Sequence, residues 1–386
     1  MKRGLTGTYD VTRYDREEVR AFVPHSLPPN PPVHMTSRLQ VLQEEATHAL
    51  GSLDGAAEIL PNSHLFIYSY VRKEAVLSSQ IEGTQSSLSD LLRFESSRAP
   101  GAPIDDVLEV SRYVHAVQYA AGQLADPRGL PLCNRLLRGA HGVLLKDTRG
   151  GDKLLGEFRR SQNWLGGTRP GNARFVPPPP EQAATAMSDL ERFVDARDDA
   201  FPALVRAGLA HVQFETIHPF LDGNGRIGRM LIILMLIDRG LLSSPVLYLS
   251  LHFKEHRERY YDLLDLVRQS GDWEEWLEFF LEGVAAVATS ARETARRLLQ
   301  LASNDRERVA AAGVRPNSAL RVHEALTERI VVNAAQVVER TGLSAPTART
   351  CLQRLCDLGI ATEVTGGRRN RLYVYREYLE ILNEGT

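Results

Sequence analysis

Twelve consecutive residues, His218-Pro219-Phe220-Leu221-Asp222-Gly223-Asn224-Gly225-Arg226-Ile227-Gly228-Arg229, place a base, a carboxylate, an amide, three glycines and two guanidiniums in one short stretch. The apolar run that follows, Met230 to Ile237, predicts a buried helix. A helix N-terminus already carries partial positive charge, so arginines in its first turn are unfavourable unless an anion is present. Arg226 and Arg229 stand at i, i+3 and share a face. A glycine-rich turn feeding such a helix predicts a polyphosphate site, with backbone N–H groups and two arginines converging on bound oxygens.

Against a triphosphate, Gly223 and Gly225 let the backbone approach without a Cβ in the way. Asp222 is a hard oxygen ligand suited to Mg²⁺. His218 can be neutral near pH 7 and take a proton from an incoming hydroxyl. Asn224 can donate to an α-phosphate oxygen. Each of these alone is weak, since Gly-x-Gly and Asp-Gly more often mark turns. Their coincidence is what points to chemistry. The stretch lacks the Gly-Lys-Ser/Thr of a Walker loop and does not sit on a βαβ unit.

The 386 residues can hold two or three domains, and 43% apolar with 24% charged residues is ordinary globular composition. A net charge of −2 argues against a nucleic-acid coat or a membrane-surface protein. Three cysteines without Cys-x-x-Cys spacing argue against a disulfide framework or thiolate zinc site. No run is long enough to span a bilayer and the start lacks a signal-peptide core, so a cytoplasmic protein without membrane partners is expected.

Residues 20–35 hold five prolines and read as an extended arm. Helical periodicity runs from 37 to 96, with an end near Gly83, then a linker over 97–105 and helices over 105–125 and 132–146. Residues 158–165 and 173–176, around Gly166-Gly167, predict a β-hairpin closed by Pro177 to Pro180. Further helices cover 181–196 and 202–216, and two or three more reach about Leu301. From 315 the order is helix, short helix from Asn333, glycine turn, helix opening at Ser344 and two short extended runs, the grammar of a winged helix-turn-helix.

At every constrained position His218 to Arg229 resembles the HPFxDGNGRxxR signature of Fic-domain proteins, and the resemblance covers roughly 10 to 290. It implies an all-α Fic core with a small β-hairpin flap, followed here by the winged helix-turn-helix. The implied activity moves AMP from ATP, with Mg²⁺, onto a hydroxyl of a target protein, itself included. His218 is then the base, Asp222 the metal ligand, and Phe220 and Gly223 to Gly225 the nucleotide loop, with Arg226 and Arg229 on the distal phosphates. Trp164, Leu165, Gly166, Gly167 and Thr168 correspond to the family's flap, which aligns a target segment by main-chain pairing. The implied divisions are 1–100 for the arm and inhibitory helix, 101–290 for the core, 291–314 for a helical linker and 315–386 for the tail domain.

Ser78-Ser79-Gln80-Ile81-Glu82-Gly83 is similar to the family's inhibitory pattern [S/T]xxxE[G/N], with Ser78, Glu82 and Gly83 in place. Its implication is that Glu82 offers Arg229 a bidentate carboxylate where a γ-phosphate would lie. Relatives of this type also remove the modification with the same glutamate. Tyr260-Tyr261 resembles a tyrosine pair lining the nucleoside pocket, with Gln213 facing the same region, while Glu255 replaces an asparagine of some relatives. In the tail, Arg349 on the second long helix and Arg368, Arg369 and Arg371 on the wing are candidates for DNA contacts. Ten Lys/Arg against eight Asp/Glu over 315–386 leave a protein-docking or homodimer role equally open. Two other readings compete: a nucleotide-sensing DNA-binding autoregulator, and a Fic-fold enzyme moving another phosphate-bearing group.

Overall fold

The computed structural model describes residues 1–14, 17–59, 63–97, 103–198, 200–312, 316–367 and 371–384. The chain opens with an antiparallel hairpin, β1 (Gly7–Tyr14) and β2 (Glu17–Pro24), in register Gly7↔Pro24 to Tyr14↔Glu17. Among the described residues eleven α-helices follow before the tail: α1 (Ser37–Ile59), α2 (Ser63–Ile81), α3 (Leu88–Ser97), α4 (Ile104–Ala125), α5 (Asn134–Leu145), α6 (Pro180–Asp195), α7 (Ala203–Ile217), α8 (Asn224–Asp238), α9 (Ser250–Glu255), α10 (Arg257–Ser270) and α11 (Trp273–Ala311). The tail adds α12 (Pro316–Arg329), β3 (Val331–Asn333), α13 (Ala334–Thr341), α14 (Ala345–Asp357), β4 (Ala361–Glu363), β5 (Leu372–Tyr375) and α15 (Arg376–Asn383). Its strands form one antiparallel sheet in the order β3-β5-β4.

The centre of the molecule is the pair α7 and α8. Every residue of α7 from Leu204 to Ile217 is buried, as is Arg226 to Leu236 of α8. Helices apolar on all sides survive only when surrounded; here α2, α4, α5, α10 and α11 pack around the pair. The loop 218–223 is therefore held at both ends by helices buried along nearly their whole length.

Two expectations change. The proline-rich arm begins later than its composition indicates, because residues up to Pro24 form β2 and only the segment after it is irregular. Alternation in Val19-Arg20-Ala21-Phe22 carries that signal: Val19 and Ala21 turn inward against Val176. The expected flap hairpin reduces to a single antiparallel bridge, Leu165 with Phe175. The reason is that its first arm folds back on the core. Arg159 is buried and donates to the His218 carbonyl at 3.0 Å, and Asn163 donates to the Phe220 carbonyl at 3.0 Å.

Of the expected linker 97–105, residues 98–102 lie outside the described residues, and α4 begins at Ile104. The stretch 291–311 is the C-terminal part of α11, a helix of 39 residues unbroken from the core into the tail. No helix among the described residues is long and apolar enough to cross a membrane.

Candidate active site

His218 caps α7 in the left-handed region (φ 49°), a conformation that ends the helix and turns the chain into the loop. Phe220 then plugs the core, stacked on His141 of α5 at 3.8 Å between centroids and nearly parallel. The Gly156 N–H donates to His141 Nδ1 at 3.0 Å, so Nε2 carries the ring proton and donates to the Asp222 carbonyl at 3.1 Å. Burial pushes His141 down to about 4, which keeps this arrangement neutral. Asn224 closes the loop from its other end: its Oδ1 accepts from Phe220 N–H and its Nδ2 donates to Phe220 C=O, both at 2.8 Å. In this state Asn224 shapes the loop through its side chain. Gly223 (φ 76°) makes the turn into α8.

His218 as a whole is half-buried, but its Nδ1 is shielded from solvent and has no partner among the described residues. Burial, then the nearby Arg268 guanidinium, brings its pKa down to about 4. The imidazole is therefore neutral throughout the physiological range, as a proton acceptor must be. Its proton-accepting limb should fall off near pH 4, with rates flat from about pH 6 to 8. A pH–rate profile showing half-loss near the ordinary histidine value of about 6.5 would contradict this.

Asp222 lies at the loop's mouth. Burial alone would raise its carboxyl, but Arg226, Lys153 and the Gly223 N–H outweigh that and hold it below the usual carboxylate range. Lys153 Nζ stands 3.2 Å from Oδ2, and Gly223 N–H donates to Oδ1 at 2.6 Å. Arg226 reaches Glu109 only at 3.5 Å and Asp222 at 3.4 Å, and its buried Nε has no partner among the described residues. A buried guanidinium with long, incomplete pairing is poised for a stronger anion.

Arg229 is engaged through Nε and Nη2. Its Nη2 donates to Glu82 Oε1 at 2.6 Å and to the Ser78 carbonyl at 2.9 Å, while Nε donates to Ser78 Oγ at 2.9 Å. The expected bidentate carboxylate is thus corrected to a single Glu82 oxygen on Nη2, because Ser78 occupies the Nε side of the fork and shares Nη2. Burial alone would raise Glu82, but Arg229 more than offsets it and keeps the carboxyl below its ordinary range. Glu82 Oε1 lies directly over Gly225, where any Cβ would collide with it. The side chain is still 37% exposed, against 2% for Arg229. Gly83 (φ 104°) turns the chain away just after it.

The nucleoside end differs from the expectation. Tyr260 is buried in an aromatic cluster with Phe253 (4.6 Å) and Trp276 (6.1 Å). His211 Nδ1 contacts the Gly228 carbonyl at 2.9 Å and so carries the proton, which makes Tyr260 OH the donor to Nε2 at 2.9 Å. Tyr260 is therefore a core residue, while Tyr261 beside it is only half-buried. Gln213 is buried too, its amide donating to the His25 carbonyl at 2.9 Å, which ties down the arm. Glu255 is exposed at the end of α9.

On the flap, Trp164 is 39% exposed, Gly166 and Gly167 both take positive φ, and Thr168 N–H is held by Asn172 Oδ1 at 3.0 Å. Reasoning from the sequence misses His141, Lys153, Glu109 and Glu215. The first three come from helices or loops far from residue 218 in sequence, and nothing in their local pattern sets them apart. Glu215 does carry a signal, a carboxylate one helical turn before His218. Its Oε1 is buried without a partner among the described residues, and burial pushes its pKa up to about 7.

In the tail, Asn333 caps α13 and Ser344 caps α14, as expected from their positions. Arg349 is exposed on α14 and, with Thr350, Gln353 and Arg371, lines a groove of about 1290 Å³. Arg368 and Arg369 lie outside the described residues.

A glycine loop entering a buried helix that carries two arginines, beside a neutral imidazole whose Nδ1 has no partner among the described residues, defines the site. Comparison with known proteins gives that site its family. Residues 41–122 match the model of the Fic/DOC family N-terminal region and 131–236 that of the Fic/DOC family, so the chain carries both of these domains. A protein adenylyltransferase Fic from Culex quinquefasciatus is 30% identical over 207 residues, 52% of this chain and 38% of the relative. One from Drosophila ananassae is 35% identical over 128 residues, 33% of this chain and 23% of the relative. The matched region thus spans well under half the length of these curated relatives. A Fic family protein from Desulfovibrio desulfuricans G20 shares the fold, with a TM-score of 0.57 at 18% identity, covering 90% of this chain and 98% of that one.

Proposed function

We propose that this chain transfers AMP from ATP to a hydroxyl side chain of a protein and holds itself inactive through Glu82. The observation that carries the reading is Glu82 Oε1 seated over Gly225 on Arg229, with Ser78 holding Nε and Nη2 of the same guanidinium. A distal phosphate would need that same place. The buried Arg226 Nε and His218 Nδ1, unpartnered among the described residues, fit a ligand bringing both an anion and an acidic proton. The name of the curated relatives, protein adenylyltransferase, supports the same chemistry.

In the active state the acceptor oxygen attacks the α-phosphorus as His218 takes its proton. The bond from that phosphorus to the β-bridging oxygen breaks, and pyrophosphate leaves. Arg226 and Arg229 hold the leaving charge, and the first-turn N–H groups of α8 face the same oxygens. Asp222 fits Mg²⁺, which binds through one or two carboxylates plus phosphates and would supply further charge neutralisation. The Lys153 ammonium would then give up its contact. Trp164 to Thr168 would align the acceptor segment. Intact-mass analysis of the Glu82→Gly protein after incubation with ATP and Mg²⁺ tests the whole reading: added adenylyl groups support it, and an unchanged mass on a folded protein overturns it.

A second reading concerns the tail. Helix, strand, helix, helix and a β5-bearing sheet follow winged-helix order, and the arginine-lined groove on α14 suits nucleic-acid phosphates. Arg349→Ala is expected to weaken duplex binding similarly across sequences and to lower the salt slope by about 1. Fluorescence anisotropy at several salt concentrations measures both, and an unchanged affinity removes Arg349 from the interface.

A further inference from the structure

Glu82 sits in the turn immediately after α2, its N–H bonded back to the Ser79 carbonyl at 3.1 Å, and its carboxylate meets Arg229 through one oxygen. Its place therefore depends on where α2 lies. That helix is gripped at two seams by the C-terminal domain. At the first, Ser96 of α3 donates from Oγ to the Val331 carbonyl of β3 at 2.8 Å. Asn333 Nδ2 and Gln336 Nε2 donate back to the Ser96 carbonyl at 3.2 and 3.3 Å. The neighbouring Glu95 locks α3 to α2, accepting from Arg72 Nε at 2.8 Å and Tyr68 OH at 2.7 Å. At the second seam, buried Lys73 of α2 donates to the Glu384 carbonyl at 2.8 Å and lies over the Tyr248 ring. Arg297 of α11 in turn holds the Glu384 carboxylate at 2.7 Å. Helix α12 packs directly on α2 as well.

From Lys73 to the end of α2 at Ile81, one residue before Glu82, is about 12 Å of helix. Between them, Glu74 accepts from Ser250 Oγ at 2.5 Å and Ser250 N–H at 3.1 Å, and Ser78 meets Arg229. The spacing of four residues puts Glu74 and Ser78 on one face of α2, and Glu82 follows in the next turn, on the same arginine as Ser78. One rigid rod thus joins the tail domain to the site.

We propose that the C-terminal domain seats the braking helix, with Ser96, Gln336, Lys73 and Arg297 as positioning residues for Glu82. The proposal rests on the reading of Glu82 as the brake. Asn333 belongs both to the first seam and to the wall of the arginine-lined groove, so a ligand filling that groove meets a residue the seam uses.

The test is label transfer from radioactive ATP by the full chain, in the Glu82 and Glu82→Gly backgrounds. Ser96→Ala with Gln336→Ala loosens the first seam; Arg297→Ala loosens the second and keeps the test decisive if the first pair fails to fold. Either change is expected to raise self-modification roughly fivefold with Glu82 present, the scale of one lost hydrogen bond, and to leave the Glu82→Gly background unchanged. Equal rises in both backgrounds would show that the seams act elsewhere, and overturn the proposal. So would no rise with Glu82 present while Glu82→Gly is active. If Glu82→Gly itself transfers no more than wild type, the brake reading falls instead, and the proposal with it.

Discussion

Replacing Glu82 with glycine is expected to raise AMP transfer on the order of a hundredfold, the cost typical of a reacting group held out of line by about 1 Å. The geometry makes the direction clear. Glu82 Oε1 occupies the space above Gly225 and takes up one Nη of Arg229, so a distal phosphate cannot settle there while the carboxylate remains. Glycine empties that space without adding volume. Ser78 still holds Nε and Nη2 of the guanidinium, so Arg229 stays in position and the fold is largely preserved. Glu82→Gln should give a smaller gain, since the amide keeps the volume but loses the charge. Measured label transfer that is equal for wild type, glutamine and glycine would remove Glu82 from the resting state.

The second large effect is loss of the base. His218→Ala in the Glu82→Gly background should cut transfer by about 10²- to 10⁴-fold, the range for general-base catalysis. Phe220, Asn224 and His141 hold the loop without help from the His218 ring, so nucleotide binding should survive. Equilibrium binding of ATP measured beside the transfer rate separates the two. A variant that loses both equally would make His218 a structural cap of α7 and no more.

Much of the site is legible in the chain itself, for physical reasons that can be named. The loop His218 to Arg229 is contiguous, so spacing alone places its imidazole, its carboxylate and its arginines. The same holds for Ser78 and Glu82, four residues apart. What spacing does not convey is competition among partners. Nothing in the order of residues says that Ser78 takes the Nε side of the Arg229 fork and leaves Glu82 a single bond at Nη2, or that Asn224 spends its amide on Phe220. Tyr260 reads the same whether it stacks on a base or on Phe253; burial decides it. The N-terminal hairpin is legible as alternation in Val19 to Phe22, but the prolines downstream draw the reading toward an irregular arm.

The unbroken length of α11 has a mechanical meaning. A rod of 39 residues, about 58 Å, carries both the packing against α7 and the first contacts of the tail. Such a mast gives the molecule a fixed bearing. If the tail were moored to a partner, the His218 imidazole would face one direction only, and an acceptor would have to approach from that side of the mooring.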